Sequence, residues 1–264
     1  MKTSLIVTTY NWPEALEFCV KSALAQTYLP SEIIIADDGS SAQTKDLVEI
    51  LAKTSPIKII HSWQEDLGFR LARSRNLAIA KASSEYIVIV DGDMILDTHF
   101  LEDHLDCATK GFYIQGSRAI LGDVLSKQIL KNKQIPQFSF FNKHIKNKLN
   151  MLRISLLRKY ICSKSSQSLH AVRGCNFAFF REDILKVNGF NEDFTTWGRE
   201  DSEFIQRLYH IGIQRKRVKF GAIQFHIYHK ESSSNNHNDT LLENTIQNKL
   251  TWCDNGINKH LKDI

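Results

Sequence analysis

The stretch Tyr86–Met94, YIVIVDGDM, decides the fold of this chain. Its first five residues form an unbroken apolar run rich in β-branched side chains, which is typical of a strand buried on both faces of a parallel sheet. Asp91 and Asp93 follow this run directly, with Gly92 between them. Ligands of open α/β sheets bind at the carboxyl ends of strands, and carboxylate oxygens favour hard divalent cations. The stretch therefore predicts a cation site at a sheet edge, and a solvated Asp-Gly turn is the alternative for the tripeptide alone.

The residues around this stretch alternate between strand and helix patterns. Strands are predicted at Ser4–Thr9, Ile33–Ala36, Ile57–His61 and Tyr86–Val90, and helices at Ala15–Leu24, Gln43–Lys53, Arg70–Ala82 and His99–Ala108. This alternation predicts βαβ units, and hence an α/β fold with a mostly parallel central sheet flanked by helices. A dinucleotide-binding Rossmann domain is excluded because the loop after the first strand has no GxGxxG.

The regular alternation ends after Gly122. Ile145–Ile161 is predicted to be helical because Ile145, Leu149, Leu152, Leu156 and Leu157 fall at helical spacing. Further along, the patterns predict strands at Gly174–Phe180 and Phe220–Tyr228, helices at Arg181–Val187 and Glu200–His210, and a polar loop at Ser232–Asp239.

The composition is that of an ordinary globular protein, with 264 residues, 42% hydrophobic and 24% charged. No apolar run is long enough to cross a membrane, and the N-terminus does not have the pattern of a signal peptide. The five cysteines are scattered and show no CxxC spacing. We therefore expect reduced thiols in a cytoplasmic protein, and neither a disulfide framework nor a zinc site.

Charge is distributed unevenly along the chain. The segment Val124–Arg181 holds twelve Lys and Arg residues and no Asp or Glu, whereas the remainder holds 22 basic and 29 acidic residues. A basic segment in an acidic body indicates a polyanionic or membrane-surface partner, and a solvated insertion is the equally weighted alternative.

Polar residues after the first two strands are candidates for binding a planar ring. Asp37 and Asp38 end the second strand, and an acid at this place can accept a hydrogen bond from a ring N–H. Thr8 and Tyr10 follow the first strand, where Tyr10 can pack on the ring. The alternative is simple turn chemistry, because Asp-Gly-Ser is a common turn.

Three arginines open the predicted third helix. Arg70, Arg73 and Arg75 place at least two guanidinium groups on one helix face, where they can meet phosphates. A solvated basic face is the better interpretation of these residues in isolation.

The stretch Thr196–Glu203, TWGREDSE, places Glu200 and Asp201 at a helix start behind Trp197 and Gly198. A carboxylate held there can act as a general base, although acids at a helix N-terminus also stabilise the helix dipole. His226 and His229 end the last predicted strand. At this spacing in an extended segment they point to opposite faces, so only one is expected to reach a metal.

Six stretches, taken together and in order, resemble the family 2 glycosyltransferases of the GT-A fold. They are SLIVTTYN, IIIADDGS, EDLGFRLARSRNLAIAKA, YIVIVDGDMI, GCNFAFFREDILKVNGFNEDF and WGREDSEF. The last three also resemble the chondroitin-polymerase and galactosyltransferase-like branches, in which a WGxED motif is typical. The resemblance covers Lys2–Gly122 and Val172–His229, whereas Asp123–Ala171 matches no pattern that we can place.

The resemblance implies roles for the candidate residues. Asp201 matches the catalytic base, with Glu200 beside it as the alternative. The residues implied in nucleotide-sugar binding are Thr8, Tyr10, Asp37, Asp38, Arg70, Arg75, Asp91, Gly92 and Trp197. The residues implied as ligands of Mn²⁺ or Mg²⁺ are Asp93, Asp91 and His229, with His226 as second choice.

The resemblance also implies a function and a domain organisation. The expected enzyme is an inverting, metal-dependent glycosyltransferase that moves a sugar from a UDP-sugar to a hydroxyl of a glycan or lipid-linked acceptor, for cell-surface polysaccharide such as lipopolysaccharide or capsule. Residues 1–122 would bind the nucleotide-sugar, 123–171 would form a basic insertion, and 172–264 would carry the acceptor side and the base. We expect a cytoplasmic protein with peripheral contact to an anionic inner membrane face, and no nucleic-acid partner.

Two rival functions fit the same fold. A sugar-nucleotide pyrophosphorylase needs a Gly-rich, basic N-terminal loop, and Thr9–Pro13 has no Gly, Lys or Arg. A non-catalytic carbohydrate-binding module could keep the fold and lose the chemistry, so only activity separates it from an enzyme.

Overall fold

The computed structural model describes residues 1–230 and 236–261. Its N-terminal half forms the parallel part of an eight-stranded sheet, in the order β3-β2-β1-β4. The strands are β1 (Thr3–Thr9), β2 (Glu32–Asp37), β3 (Lys58–Trp63) and β4 (Tyr86–Asp91), and the connecting helices are α1 (Pro13–Leu24), α2 (Ala42–Thr54) and α3 (Leu71–Lys81). The predicted strands and helices of this half are confirmed to within a few residues.

Strands β1 and β4 are buried on both faces, as the continuous apolar pattern predicts. Leu5 and Val7 pack into a hydrophobic core on one side of the sheet, whereas Ile6 between them packs into a second core on the other side. Alternate side chains of one strand thus fill two cores, which requires apolar residues at every position. Polar residues are therefore exceptions to the apolar pattern of these strands. They lie at the strand ends, which meet at one edge of the sheet.

The C-terminal half extends both this sheet and a smaller one. The remaining strands are β5 (Met94–Leu96), β6 (Phe112–Gln115), β7 (Ala119–Leu121), β8 (Ile145–Lys146), β9 (Ser165–Ser166), β10 (Asn176–Phe180), β11 (Gln214–Arg217) and β12 (Gln224–His226). Strand β10 lies antiparallel between β4 and β6, and the larger sheet then continues with β11 and β9. The smaller sheet has the order β5-β12-β7-β8. The predicted last strand, Phe220–Tyr228, is therefore shorter than expected.

The long segment between β6 and β10, called the excursion below, begins and ends at neighbouring positions, and a hydrogen bond joins its two ends. The backbone N–H of Gly116 donates to the carbonyl of Asn176 over 3.0 Å, directly beside the pairing of these two strands. The excursion contributes β7 and β8 to the smaller sheet. It also contributes β9, which pairs with β11 at the edge of the larger sheet, while its two ends meet at neighbouring positions of β6 and β10.

The other helices are α4 (Phe100–Cys107), α5 (Asp123–Asn132), α6 (Ser155–Cys162), α7 (Arg181–Lys186), α8 (Glu200–His210) and α9 (Asn236–Gln247), with 3₁₀ turns at Lys148–Met151 and Ile257–His260. The predicted helices α7 and α8 are confirmed. The predicted polar loop Ser232–Asp239 is wrong from Asn236 onward, where α9 begins, and residues 232–235 lie outside the described part of the chain. No helix among the described residues has the length and apolar character needed to cross a membrane.

The predicted helix Ile145–Ile161 is wrong. Within these bounds the chain forms β8, a 3₁₀ turn and most of α6, so only the last part is α-helical. Helix α6 buries Arg158 and leaves Leu156 exposed. Arg158 forms ion pairs with Asp103 and Asp106 of α4. These two acids neutralise the buried charge of Arg158, for which the sequence around α6 contains no acid.

The prediction of five reduced thiols is also wrong for two of them. Cys107 at the end of α4 and Cys162 at the end of α6 form a disulfide that closes a separation of 55 residues. Cys19, Cys175 and Cys253 are buried free thiols. The disulfide and the ion pairs together fasten the basic insertion to α4.

Candidate active site

A cleft of about 780 Å³ lies at the carboxyl ends of β1 and β4, with walls from both halves of the chain. This volume is within the range of small-molecule sites. The predicted residues that line it are Thr8, Tyr10, Asp38, Arg75, Asp91, Gly92, Asp93, Trp197, Glu200, Asp201, His226 and His229. Residues separated by more than 200 positions therefore meet in one cleft.

The Asp91-Gly92-Asp93 turn is held against the end of β1. Thr8 Oγ1 donates to Asp91 Oδ1 over 2.9 Å, and the N–H of Gly92 donates to the carbonyl of Thr8 over 2.7 Å. A Cβ atom at position 92 would lie 2.7 Å from that carbonyl oxygen, so the close packing of the two strands requires glycine. Burial and the nearby Asp93 carboxylate raise the pKa of Asp91.

Asp93 and two histidines converge in the cleft. Asp93 Oδ2 lies 3.0 Å from His226 Nε2 and 3.0 Å from His229 Nε2. The expectation that only one histidine reaches this position is wrong, because β12 ends at His226 and the alternation of an extended strand does not continue to His229. Strand pairing positions the first of them, since His226 lies opposite Met94, the residue after Asp93.

These three residues fit a divalent cation. Their donor atoms all lie within 4.8 Å of one another, and Asp93 Oδ1 is buried without a partner among the described residues. Burial would raise the pKa of Asp93, but hydrogen bonds with the two imidazoles outweigh it and lower the pKa to about 2. The hydrogen bond with Asp93 raises the pKa of His229 to about 9. Two imidazoles with one carboxylate suit a first-row ion such as Mn²⁺ better than Mg²⁺, which prefers oxygen ligands.

Arg75 joins the two acidic motifs of the cleft. Its side chain is buried, its Nη1 donates to Glu200 Oε1 over 3.1 Å, and its Nη2 lies 3.8 Å from Asp91 Oδ1. A Cβ atom on Gly174 would lie 2.5 Å from Arg75 Nη2, so this glycine makes room for the guanidinium group. Arg75 thus lines the cleft as predicted, with its charge shared between two carboxylates.

Glu200 and Asp201 begin α8 and face the cleft. Asp201 is oriented by backbone donors, since its Oδ2 accepts from the N–H of Gly174 over 2.9 Å and its Oδ1 from the N–H of Ser202 over 2.6 Å. Burial, with the Asp201 charge, raises the pKa of Glu200 to about 7. Burial also raises the pKa of Asp201. Carboxylates whose pKa values are raised in a cleft are suited to accept a proton near neutral pH.

Asn238 of α9 holds the loop that precedes these acids. Its side chain is fully buried, and its Nδ2 donates to the carbonyls of Thr196, over 2.9 Å, and Gly198, over 2.6 Å. Its Oδ1 accepts from Thr196 Oγ1 over 3.1 Å. No local pattern in the sequence marks this residue, because its partners lie some 40 residues away.

Asp38 lies in the predicted ring-binding part of the cleft. Its carboxylate accepts from the backbone N–H of Arg70 over 2.9 Å and from Gln64 Nε2 over 2.5 Å, and burial raises its pKa to about 6. Tyr10 is about half exposed at the rim, where its hydroxyl donates to Asp66 over 3.0 Å. A flat aromatic side chain and a buried acid therefore border the same end of the cleft.

Two predicted ligands do not line the cleft. Asp37 is fully buried beneath it, where its carboxylate lies 2.8 Å from His61 Nε2 and accepts from the N–H of Ser40 over 2.8 Å. The side chain of Arg70 lines a separate cavity of about 330 Å³ beside Trp63. Both residues support the loop that carries Asp38 rather than the cleft itself.

The other residues that line the cleft include Arg118, Arg173 and Cys175, which were not predicted as site residues from the sequence. Arg118 Nη1 lies 3.6 Å from Cys175 Sγ, and burial raises the pKa of this thiol to about 12, so it stays neutral. The signal for Arg173 was its place next to the Gly-Cys-Asn-Phe stretch, whereas Arg118 had none.

A family model described as "Glycosyl transferase family 2" matches residues 4–188. The chain belongs to this family. The matched residues include β1 to β4 and the acids that end β2 and β4, whereas the cleft residues Glu200, Asp201, His226 and His229 lie outside the match.

Two relatives of this family 2 chain are synthases of polysaccharides. It is 28% identical over 240 residues to a chondroitin synthase of Escherichia coli, covering 84% of this chain and 34% of that protein. It is 27% identical to a chondroitin synthase of Pasteurella multocida, covering 84% of this chain and 24% of that protein. The chain thus spans about a third or less of these relatives.

Solved structures confirm the fold of the family 2 chain. TarS 1-349 of S. aureus in complex with UDP-GlcNAc superposes with a TM-score of 0.61 at 17% identity, covering 94% of this chain and 72% of that one. The predicted family and the GT-A fold are therefore confirmed, and with them the glycosyltransferase class.

Proposed function

We propose that this chain is an inverting glycosyltransferase that moves a sugar from a UDP-sugar to a hydroxyl of a glycan or lipid-linked acceptor in cell-surface polysaccharide synthesis. The observation that carries the proposal is the meeting of two groups in one cleft. One is the Asp93, His226 and His229 cluster, and the other is the buried pair Glu200 and Asp201. A cation site and a proton acceptor are the two parts that such a transfer needs.

The donor would lie between the strand ends and the cluster. Asp38 and Tyr10 border the place proposed for the uracil ring, and Asp91, which also lines the cleft, would contact the ribose. Asp93, His226 and His229 would hold a divalent cation, as Mn²⁺. When bound there, the cation supplies positive charge that offsets the charge of the leaving diphosphate.

Asp201 is the proposed base. The acceptor hydroxyl attacks the anomeric carbon as Asp201 takes its proton, the bond from that carbon to the diphosphate oxygen breaks, and the configuration inverts. Asp201 is favoured over Glu200 because the N–H groups of Gly174 and Ser202 orient its carboxylate, whereas Glu200 is bonded to Arg75. The raised pKa of Asp201 strengthens it as a proton acceptor.

The choice of a UDP-sugar rests on similarity to other proteins. The TarS structures include complexes with UDP and with UDP-GlcNAc, and two relatives are named chondroitin synthases. A cytoplasmic location and peripheral contact with an anionic membrane are part of the proposal, because lipid-linked acceptors are presented at such a surface. The pyrophosphorylase alternative is less favoured, since the loop after β1 lacks the basic and glycine residues that a triphosphate requires.

A panel of nucleotide-sugars with and without Mn²⁺ tests the proposal. Mn²⁺-dependent release of UDP from one of them is expected from the wild-type chain, and Asp93→Asn should abolish it. Asp46→Asn, an exposed acid of α2, is the matched control and should behave as wild type. Full activity of Asp93→Asn would contradict the metal assignment, and absence of turnover with binding retained would favour the non-catalytic module.

A further inference from the structure

Helix α6 is oriented with its apolar side chains outward. Leu156 is 83% exposed and Tyr160 is 61% exposed, whereas Arg158 and Cys162 are buried. A surface helix ordinarily buries its apolar residues and exposes its charges. The orientation of α6 is therefore the reverse of what its sequence favours in water.

This orientation is fixed by strong contacts with α4. Arg158 pairs with Asp103 and Asp106, and the disulfide between Cys162 and Cys107 anchors the end of the helix. These contacts lie on one side of α6, spaced four residues apart. The helix therefore cannot rotate to bury Leu156 without breaking a buried ion pair.

Positive charge surrounds the exposed apolar residues. Lys159 lies next to Tyr160 in the helix, and Lys164 Nζ lies 4.3 Å from the centre of the Tyr160 ring. The segment Val124–Arg181 has no acid, and the acids that pair with its arginines lie on α4, on the inner side of the helix. The lysines on the outer side of α6 form no ion pair with described residues.

We infer that the outer face of α6, formed by Leu156, Leu157, Lys159 and Tyr160, docks on the anionic headgroup region of a lipid bilayer. Interfacial helices combine a few inserted apolar side chains with lysines that reach the headgroups, and tyrosine favours this boundary. Charge complementarity selects an anionic surface. A stable protein interface needs about 800 Å² on each partner, more than these few side chains supply.

The same insertion is joined to a strand that carries a cleft residue. In the smaller sheet, Lys146 of β8 pairs with Ile120 of β7, which pairs with His226 of β12. Lys146 is thus two strands from His226, about 10 Å at ordinary strand spacing. Asn150 Nδ2 also donates to the carbonyl of Arg118 over 2.9 Å. The inference specifies the membrane contact in the proposed function and rests on it, since the insertion that would touch the bilayer is also joined through the smaller sheet to the strand that carries His226.

Vesicle co-sedimentation tests the inference. The probes are vesicles of phosphatidylglycerol with phosphatidylcholine, and vesicles of phosphatidylcholine alone, at low and high salt. The wild-type chain should bind the anionic vesicles at low salt and be released at high salt. The double variant Leu156→Ser/Tyr160→Ser should bind at least tenfold more weakly. Ile50→Ser, which removes a 59% exposed aliphatic side chain from α2, is the matched control and should bind as wild type.

Three results would overturn the inference. They are equal binding to both vesicle types, undiminished binding by the double variant, and salt-dependent self-association that the double variant removes without any vesicle binding. UDP release without vesicles should be the same in the wild type and the double variant. A wild type that binds vesicles but releases no UDP would contradict the proposed function alone, and a wild type that releases UDP but ignores vesicles would contradict the inference alone.

Discussion

Arg75 Nη1 donates a hydrogen bond to Glu200 Oε1 across 125 positions of sequence. The same guanidinium group lies 3.8 Å from Asp91, so one buried cation connects the acid that ends β4 with the acid that begins α8. The neighbouring Asn76 donates to the carbonyl of Phe190 over 2.8 Å. Two consecutive residues of α3 thus join the halves of the molecule at the cleft.

We expect Arg75→Ala to destabilise the protein by about 3–5 kcal/mol, because it leaves two carboxylates without their buried partner. Arg75→Lys should cost less but still lower turnover, since an ammonium group cannot contact both acids in the geometry of a guanidinium. Chemical denaturation and UDP release measure the two effects. Lys81→Arg, at the exposed end of the same helix, is the control. Wild-type turnover in Arg75→Lys would show that the bridge has no part in the reaction.

Replacement of either histidine in the metal cluster should weaken Mn²⁺ binding. We expect His226→Asn and His229→Asn each to exceed the roughly 10–100-fold loss that follows removal of a residue that only orients a metal ligand. Calorimetric titration with Mn²⁺ measures this loss directly. His170→Asn, an exposed histidine away from the cluster, should titrate as wild type. If only one of the two variants lost affinity, the cluster would hold its ion through a single imidazole.

Turnover should fall as the pH is lowered toward the raised pKa values of the two acids. Burial raises the pKa of Asp201, and that of Glu200 to about 7, and the base works only in its ionised form. Activity is therefore expected to be full above these pKa values and lost below them. Glu200→Gln should retain turnover above the pKa of Asp201 if Asp201 is the base, because the variant keeps the carboxylate that accepts the proton. Abolished turnover in Glu200→Gln at every pH would make Glu200 the base instead.

Asn238→Ala should lower kcat by about 10–100-fold and leave donor affinity nearly unchanged. The reason is that Asn238 positions the loop before the proposed base, where a displacement of about 1 Å is costly. Steady-state kinetics with separate kcat and KM values provide the measurement. Asn244→Ala, on the exposed side of the same helix, is the control. A change in stability with unaltered kcat would reduce Asn238 to a purely structural residue.

Loss of the disulfide should destabilise the chain without removing the cleft. The bridge closes 55 residues, and the chain-entropy estimate for such a loop is about 4 kcal/mol at 25 °C. Cys107→Ser/Cys162→Ser should therefore unfold at lower denaturant concentration than the oxidised wild type. Reduced wild-type protein is the control and should match the variant. Equal stability of all three forms would mean that α6 stays fixed through Arg158 alone.

The parts of the structure that the sequence predicted are those set by local pattern. The strand Tyr86–Val90 and helix Glu200–His210 each carry a periodicity that depends on neighbouring residues alone, and both formed within one residue of their predicted bounds. The prediction of a helix at Ile145–Ile161 failed because the contacts that decide the structure of this segment are distant in the sequence. The inner position of α6 belongs to Arg158 because its acidic partners lie on α4, about 50 residues earlier, and no window of sequence around α6 contains them.

The residues of the candidate site also divide into those that local sequence positions and those that distant contacts position. Asp91 and Asp93 were predicted to lie at the sheet edge because they directly follow a strand. The local sequence alone fixes this position. The joint approach of both histidines depended on where β12 ends, which pairing with β5 decides. Asp37 was assigned to the donor because it adjoins Asp38, yet consecutive residues at a strand end point in different directions and Asp37 turns inward to His61.

The hydrogen bond from Gly116 to Asn176 brings together the two ends of the excursion between β6 and β10. An excursion whose two ends meet can be lengthened, shortened or exchanged between relatives while the strands at its base stay in place, since loop length alone adds little to the cost of closure. Strands β1 to β4, whose carboxyl ends form the floor of the proposed nucleotide site, lie outside this excursion. Relatives could therefore differ in the length of this excursion while they keep the strand ends that carry Asp38 and Asp91.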